Sequence, residues 1–571
     1  MRFQPPFSLI LVALGSLLGT TALKTSTDSE SYTEQLLLTP FPDGKLHSDF
    51  RFDLKGPWTE EAPALSSNAI TQHHAFLPRL LTALTRQFRV TNFRLTLSSG
   101  RWHSHWPLEL PAELPASGIE LVAWLELLEG ETRQEETERW EKFVGAVGGL
   151  FCAGIEGTEA RRETTSPLWA FDFEGEGDQT EHRLYRLALP RLAAACTESL
   201  TPFLSLLPCS SHAGLSSLLN PHRLFDGEWT LIDVGLKRYE DEIKVSLGVG
   251  SVLDPVRKDR LSGQLGRRQF SLSSLYDRTL KTACPVASSS EVQLVIPTHS
   301  VNPFTIEPEA AKKLRSLAGR DVAVWDTEEA VETGSLDVQM TWPDENPFRY
   351  PVVNQLELLP VTARRLLSGY GQERGRIGVE IENNLPHEVE LIWVETWPWW
   401  VRGFVSSLET TSNGSNSDVS ILKIDYTPPI ARSRPSTLQA LLKLPPLSTL
   451  ELSLEYESST LWYTEYPSDA NRGFSVPGAI VILLDEEANH SPDSPKRPLL
   501  KLQTPTTLIS LPLPDFSMPY NVIILTSTTI ALFFGSVVNG MVRRWFCVNV
   551  ETDGNEEELE DEQEKEKRKQ Q

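Results

Sequence analysis

Cysteine is scarce in this chain, with five in 571 residues, and no two stand in a C-x-x-C pair. No G-x-S-x-G elbow, Walker loop or H-E-x-x-H helix occurs either, so the short patterns of serine hydrolases, P-loop nucleotide binders and zinc proteases are missing. Positive charge is in deficit as well. Lys and Arg number 53 against 77 Asp and Glu, giving a net charge of -24. That balance argues against nucleic acid or an anionic lipid surface as the main partner, because both demand concentrated Lys and Arg. No repeat of fixed period stands out, which argues against a solenoid or propeller. Forty prolines and 34 glycines, scattered throughout, signal many strand ends and turns and no long helical bundle. Long apolar runs occur only at the two ends.

Near the C-terminus, Val522 to Val542 is an uncharged run of 21 residues. As a helix rising 1.5 Å per residue it spans about 31 Å, which matches the roughly 30 Å hydrocarbon core of a bilayer. Arg543 and Arg544 follow at once, and basic residues beside a span mark its cytosolic side. At the other end Arg2, the apolar run Phe7 to Leu18 and the small residues Gly19 to Ala22 follow the charge, core and small-residue order of a secretory signal peptide, residues 1–22. The two ends together predict a single-pass type I membrane protein with a lumenal bulk and an acidic cytosolic tail, residues 543–571. Within that tail, Glu556 to Glu562 reads as a solvated run. Lys567 and Lys569, fifth and third from the C-terminus, resemble the dilysine retrieval address of endoplasmic reticulum membrane proteins.

Between the ends lie about 490 residues, enough for two to four domains with sizeable cores. Leu450, Leu452, Leu454 and Tyr456 alternate with polar residues, so one face of a strand there is apolar and the other wet. The same alternation marks Val292 to Ile296, Ile377 to Ile381 and Val389 to Trp393. Short strands punctuated by Asn383, Asn384 and Pro386, or by Pro445 and Pro446, suit a β-sandwich. Phe76, Leu80, Leu81, Leu84 and Phe88 recur at helical spacing, Arg89 to Leu97 reads as a strand, and Glu138 to Phe151 as a further helix. The fold expected is β-rich: an α+β N-terminal lumenal domain at 23–333, a β-sandwich-like second domain at 334–511, a juxtamembrane lead-in at 512–521 and one C-terminal transmembrane helix at 522–542.

Cys152, Cys196, Cys209 and Cys284 fall in the lumenal part, where an oxidising environment lets disulfides persist, and Cys547 falls beyond the span. Four cysteines allow three complete pairings, and the residues alone do not choose among them. His103 and His105, with His73 and His74, have side chains that ligate metals. The first two, however, sit in a turn between Trp102 and Trp106, where packing is the expected role and no metal site is assigned. Trp393, Trp397, Trp399 and Trp400 read first as sandwich core, with a membrane-interface or partner role as the alternative. Asn413 with Ser415 and Asn489 with Ser491 are N-glycosylation sequons in polar loops.

Several segments in order resemble one family. They are Gly149 to Ala153; Ala195 to Phe203 with Leu206 to Ser210; Ala213 to Ser216; Ser368 to Gly371; Thr464 to Tyr466 with Gly473 and Phe474; and Leu513 to Asn521. All are similar to the PIG-T type subunit of glycosylphosphatidylinositol (GPI) transamidase, and the resemblance covers Phe50 to Trp545. It implies a non-catalytic scaffold subunit of an endoplasmic reticulum membrane complex that cuts a C-terminal signal from proproteins and joins the new carboxyl end to a GPI glycolipid. The implied partners are the caspase-like catalytic subunit and the other membrane subunits, with proprotein and glycolipid reached through the complex, and neither nucleic acid nor a cofactor of its own. The family cysteine that bonds the catalytic subunit corresponds to Cys196, although Ser199 stands where the family usually has asparagine. With Cys196 so used, at most one internal bridge remains; Cys209 with Cys284 is preferred, leaving Cys152 free. A stand-alone type I lumenal receptor or cargo chaperone is the alternative that topology alone allows. The C-terminal run is not itself a GPI attachment signal, because such a signal ends in its apolar tail, whereas 29 residues follow Val542.

Overall fold

The structure is a computed structural model. It describes residues 30–548 and 564–569, apart from 59–74, 156–162, 167–168, 175–181, 191–194, 240, 264–265, 298–301, 311, 316–319, 333, 346, 352–357, 370–372, 414–419, 467–469, 486–496, 516 and 545. The signal-peptide segment, His73, His74, and Asn489 with its sequon lie outside the described residues. Residues 1–512 form one compact unit and 513–571 a second.

The first unit is built on an eleven-stranded sheet. Its spatial order is Lys312–Arg315, Asp321–Asp326, Ser289–Val295, Ser31–Pro40, Leu46–Pro57, Glu242–Leu253, Trp229–Arg238, Val90–Gly100, Gly118–Glu126, His182–Leu189 and Thr164–Thr165. Ser31–Pro40 pairs in parallel with Ser289–Val295, and its partnership with Leu46–Pro57 is antiparallel. Alternation sets the buried face: Tyr32, Leu36, Leu38, Phe50, Phe52 and Leu54 are fully buried on one side, as period-two side-chain placement requires.

That face is covered by helices Arg79–Phe88, Arg133–Phe151 and Thr197–Ser205. Thr132 opens the second with a capping box in which Glu135 reciprocates, which satisfies two donors that a helix start otherwise leaves unpaired. Phe143 on this helix meets Phe88 and Phe93 edge-on, with ring centroids 5.8 and 5.6 Å apart. In the first helix the buried positions are Leu81, Thr82, Thr85 and Phe88, and Leu80 is exposed. The helix begins only at Arg79, after Pro78, so its inward stripe runs through the two threonines. Their hydroxyls are satisfied by backbone carbonyls, Thr85 Oγ1 donating to Thr82 O at 2.8 Å. The structural helix at Arg133–Phe151 starts five residues before the expected Glu138, and the expected strand runs Val90–Gly100.

The sheet is covered on its other face too. Ile119, Leu121, Ala123 and Leu125 point to the helices, while Val122 and Trp124 join Ile392, Val394, Ile480, Ile482 and Leu484 in a second cluster. Those last residues belong to a six-stranded sheet ordered Ser420–Thr427, Ser436–Leu444, Val389–Trp397, Ile480–Leu484, Pro498–Gln503 and Ala112–Leu114. Its far face packs on a four-stranded sheet of Val361–Ser368, Arg374–Asn383, Thr449–Ser458 and Val401–Asn413. These two sheets are a β-sandwich, and Trp393, Trp397, Trp399 and Trp400 lie in its core. Ala112–Leu114 adds to its edge in parallel beside Pro498–Gln503. The layers are therefore helices, large sheet, six-stranded sheet and four-stranded sheet.

Charge sits inside this stack. Arg186 donates through Nε to Glu120 Oε1 at 2.6 Å, and Gln503 Nε2 reaches Glu120 Oε2 at 2.6 Å. Burial alone raises the Glu120 carboxyl, but Lys501 and Arg186, with the hydrogen bonds from Arg186 and Gln503, outweigh it and hold the pKa at about 2. In the sandwich, Arg365 donates to Glu395 Oε2 at 2.5 Å with both side chains almost wholly buried. Burial pushes the Glu395 carboxyl up, and Arg365 pulls it back only in part.

The second unit contains the helix Ser517–Val542, which is long and apolar enough to cross a membrane. It begins five residues before the expected Val522, because Ser517 to Asn521 continue the helical turn. Thr528, Thr529 and Ser536 donate to the carbonyls four residues back at 2.8, 2.8 and 2.9 Å, so these hydroxyls are satisfied inside the helix.

The buried pair between the sheets gives a direct test. Glu120→Ala strands the Arg186 guanidinium, whose side chain is only 2 % exposed, and is expected to cost about 3–5 kcal/mol, read as a lower denaturant midpoint. The double change Glu120→Leu with Arg186→Met is expected to recover most of the loss. Because the folded carboxyl titrates at about 2, well below its ordinary range, the stabilisation is complete above about pH 4.5 and is lost as pH falls toward 2.

Candidate functional site

The chain's thiols are the candidate functional groups, and the structure separates their roles. Cys209 and Cys284 are joined in a disulfide with Cα atoms 6.0 Å apart. The bridge ties the turns after helix Thr197–Ser205 to the segment that enters Ser289–Val295, closing a loop with a sequence separation of 75 residues. In the chain-entropy account such a closure contributes about 4.5 kcal/mol. Cys152, Cys196 and Cys547 are free thiols.

Cys196 is the N-cap of helix Thr197–Ser205 and is half-buried. Its position is fixed from three sides. The preceding Ala195 N–H donates to Ser99 Oγ on the large sheet at 3.2 Å. The Cys196 carbonyl accepts the Ser199 N–H at 3.2 Å. Leu200 and Phe203, one turn further on, are buried, with the Phe203 ring 6.4 Å from Phe52. Ser199, the residue that departs from the family pattern, is itself buried and holds its hydroxyl 3.4 Å from the Cys196 sulfur. The thiol therefore belongs to a half-buried residue at the start of an anchored helix.

Cys152 ends helix Arg133–Phe151 in a left-handed conformation, φ 52°, and is exposed. Helices Arg133–Phe151 and Thr197–Ser205 pack together, so the two free thiols of the first unit belong to one helical layer. Cys547 is exposed in the second unit.

A buried carboxylate missed by reading the sequence supports the disulfide region. Glu34 accepts hydrogen bonds from Tyr32 Oη at 2.7 Å, Leu215 N at 2.9 Å and Ser290 Oγ at 3.0 Å. Burial raises its carboxyl, and the three donors only moderate the rise. Gly214 passes over it with φ +69°; a Cβ there meets Glu34 Oε2 and comes within 2.7 Å of Cys284 Cβ. The signal was present in the alternation Tyr32, Glu34, Leu36, Leu38, which puts a carboxylate in an apolar register.

The remaining candidates are placed as follows. Among the described residues no group of three or more His, Cys, Asp or Glu is arranged to hold a metal. His103 lies edge-on to Trp106, ring centroids 4.6 Å apart, and His105 Nε2 is 3.6 Å from Asp43. Burial, aided by the charge of Lys45, lowers the His103 pKa. Asn413 closes the strand Val401–Asn413. Lys567 and Lys569 are exposed. A cleft of about 520 Å³ opens on the large sheet beside Ala112–Leu114. Its charges answer each other, with Arg94 2.7 Å from Asp233 and Lys501 2.8 Å from Glu113.

These features define a strand-built body, joined to one apolar C-terminal helix, that presents an anchored half-open cysteine. The chain belongs to the family described as Gpi16 subunit, GPI transamidase component, which it matches over residues 16–264 and 262–571. It is 30 % identical over 556 residues to GPI-anchor transamidase component PIGT of Homo sapiens, covering 92 % of each chain. It is also 30 % identical over 560 residues to GPI transamidase component GPI16 of Saccharomyces cerevisiae, covering 90 % of this chain and 89 % of that one. The GPI transamidase component PIG-T homolog of Schizosaccharomyces pombe is 27 % identical over 530 residues and 92 % of each.

Gly214→Ala tests the packed corner under the disulfide. The substitution is expected to cost about 2 kcal/mol through its backbone conformation alone, seen as a lower melting temperature. Faster reduction of Cys209–Cys284 by dithiothreitol should accompany it, since the new methyl group competes with Cys284 for space.

Proposed function

We propose that this chain is the non-catalytic scaffold subunit of the endoplasmic reticulum GPI transamidase, with the bulk of the chain lumenal and the C-terminus cytosolic. It holds the caspase-like catalytic subunit by a disulfide from Cys196 and stabilises the complex that transfers GPI anchors to proprotein C-termini. Proprotein and glycolipid engage it through that complex. Asn413 and Asn489 carry glycans on the lumenal side, and Lys567 with Lys569 form the retrieval address of the cytosolic tail.

The observation that carries the reading is the state of the thiols. Cys209 and Cys284 satisfy each other, while Cys196, half-buried, keeps a free thiol at the start of a helix fixed to the main sheet. A covalent bond from a rigid position converts the other contacts between two subunits into intramolecular ones, with effective concentrations of about millimolar. A subunit that shapes the approach to another's active site needs that persistence more than it needs reactive groups of its own.

Non-reducing electrophoresis of membranes expressing the complex is the test. The native chain is expected to run as a mixed disulfide with a caspase-like protein, and Cys196→Ser is expected to abolish that band while leaving Cys209–Cys284 intact. Monomer migration of both overturns the cross-link. Transamidation that persists after deletion of this chain, with the other subunits stable, overturns the scaffold role and favours the stand-alone lumenal receptor or cargo chaperone.

A further inference from the structure

Buried tryptophans are the rule in the sandwich, and Trp462 breaks it. It is 62 % exposed and its neighbour Tyr463 is 48 % exposed. Their loop is nevertheless held firmly. Glu465 accepts the Trp462 backbone N–H at 2.8 Å and the Arg432 Nε–H at 2.8 Å. The Arg432 guanidinium lies 3.8 Å from the Trp462 ring centroid and 4.8 Å from that of buried Trp399. An exposed indole is thus fixed to the sandwich core through one cation and one carboxylate. Exposing so large an apolar side chain on a rigid support costs solvation energy that the fold could have avoided by turning it inward.

The loop stands where the body ends. Tyr466 packs edge-on against Phe474, ring centroids 5.8 Å apart, and its hydroxyl donates to the Pro512 carbonyl at 2.7 Å. Phe474 in turn pairs with Ile509 in a short two-stranded ladder that includes exposed Leu508. Exposed Ile430 flanks the Arg432 turn. Four residues, and so five Cα-to-Cα steps, then lead from Pro512 to Ser517, the first residue of the apolar helix. Fully extended they reach about 17 Å, so the helix must start within that distance of Pro512 whatever its direction. Tryptophan and tyrosine, with an apolar body and one polar edge, are the side chains favoured at the headgroup level of a bilayer. Arg432, the cation against the Trp462 ring, is paired with Glu465, which suits a loop that enters a lipid interface by apolar burial.

We propose that the Leu461–Tyr463 loop is a membrane-seating surface: Trp462 and Tyr463 lie in the headgroup layer of the leaflet that the Ser517–Val542 helix enters. The proposal rests on the reading of Ser517–Val542 as a bilayer span. The Arg432–Glu465 pair positions the loop, and the Tyr466–Pro512 hydrogen bond couples it to the chain's exit.

The test replaces Trp462 with a benzophenone-bearing amino acid in the full chain, expressed with its complex in native membranes and irradiated. Phospholipid adducts are expected at least tenfold above those from the same group at Leu447, which is 72 % exposed elsewhere on the body. The same reagent at Tyr463 serves if the Trp462 chain fails to accumulate. Adducts only to another protein, or lipid adducts no higher than at Leu447, overturn the proposal. Alkaline carbonate separates the two readings. A chain stripped from the membrane overturns the span, whereas a chain that stays in the membrane but forms no lipid adduct overturns the seating surface alone.

Discussion

Everything in the body hangs on a strand that has no wet face. Gly118–Glu126 is buried along eight of its nine residues, with odd-numbered side chains in the helical layer's core and even-numbered ones against the sandwich. A strand in that position joins two hydrophobic cores through one backbone, so neither core can shift without moving the other. The cost of the arrangement is Glu120, a carboxylate on the sandwich side. It is tolerated because Arg186 and Gln503 take up both oxygens and Lys501 adds charge. A buried pair of this kind adds little net stability over apolar packing. What it adds is register: Arg186 on one side and Gln503 on the other can meet Glu120 in only one alignment of the two sheets.

The same logic explains the thiols. Helix Thr197–Ser205 lies on the face of the large sheet opposite the sandwich, and Phe203 reaches the core at Phe52. Ala195, two residues before its first turn, is tied to Ser99 on the strand that neighbours Gly118–Glu126. The disulfide and the Glu34 network then fix the chain that follows the helix. Cys196, half-buried at the N-cap of that helix, is therefore held in place by elements that are themselves packed and cross-linked.

How much of this was legible in the residues follows from which forces are local. Alternation located Thr449–Ser458 and Val389–Trp397 to within a few residues, because period and burial are written position by position, and the uncharged run from Val522 located the apolar C-terminal helix, which begins at Ser517. The inward turn of Trp393 and Trp397 was also readable, since they alternate with apolar neighbours on one strand. The inclusion of Ala112–Leu114 in the second sheet was not, because three residues carry no period. Nor was the exposure of Leu80, which depends on where Pro78 lets the helix begin. Glu34, Glu120 and Glu395 each stand in an apolar register. A carboxylate at such a position is itself a signal, but its partners, Ser290, Arg186 and Arg365, lie 256, 66 and 30 residues away, and only the fold brings them together.

Three of the short segments that resemble the family fall into two physical groups. Ala195–Ser210 and Ala213–Ser216 build the anchored thiol and the corner beneath the disulfide, where Gly214 is needed because any side chain collides with Glu34 and Cys284. Thr464–Tyr466 with Gly473 and Phe474 build the other end, where Glu465 holds the aromatic loop and Tyr466 holds the exit at Pro512. Gly473, at φ +90°, makes the turn that places Phe474 against Tyr466. One group fixes the helix that carries Cys196 and the other fixes the route by which the chain leaves its body. The two places keep a constant relation only if the material between them is stiff, and the doubly covered strand Gly118–Glu126 supplies that stiffness.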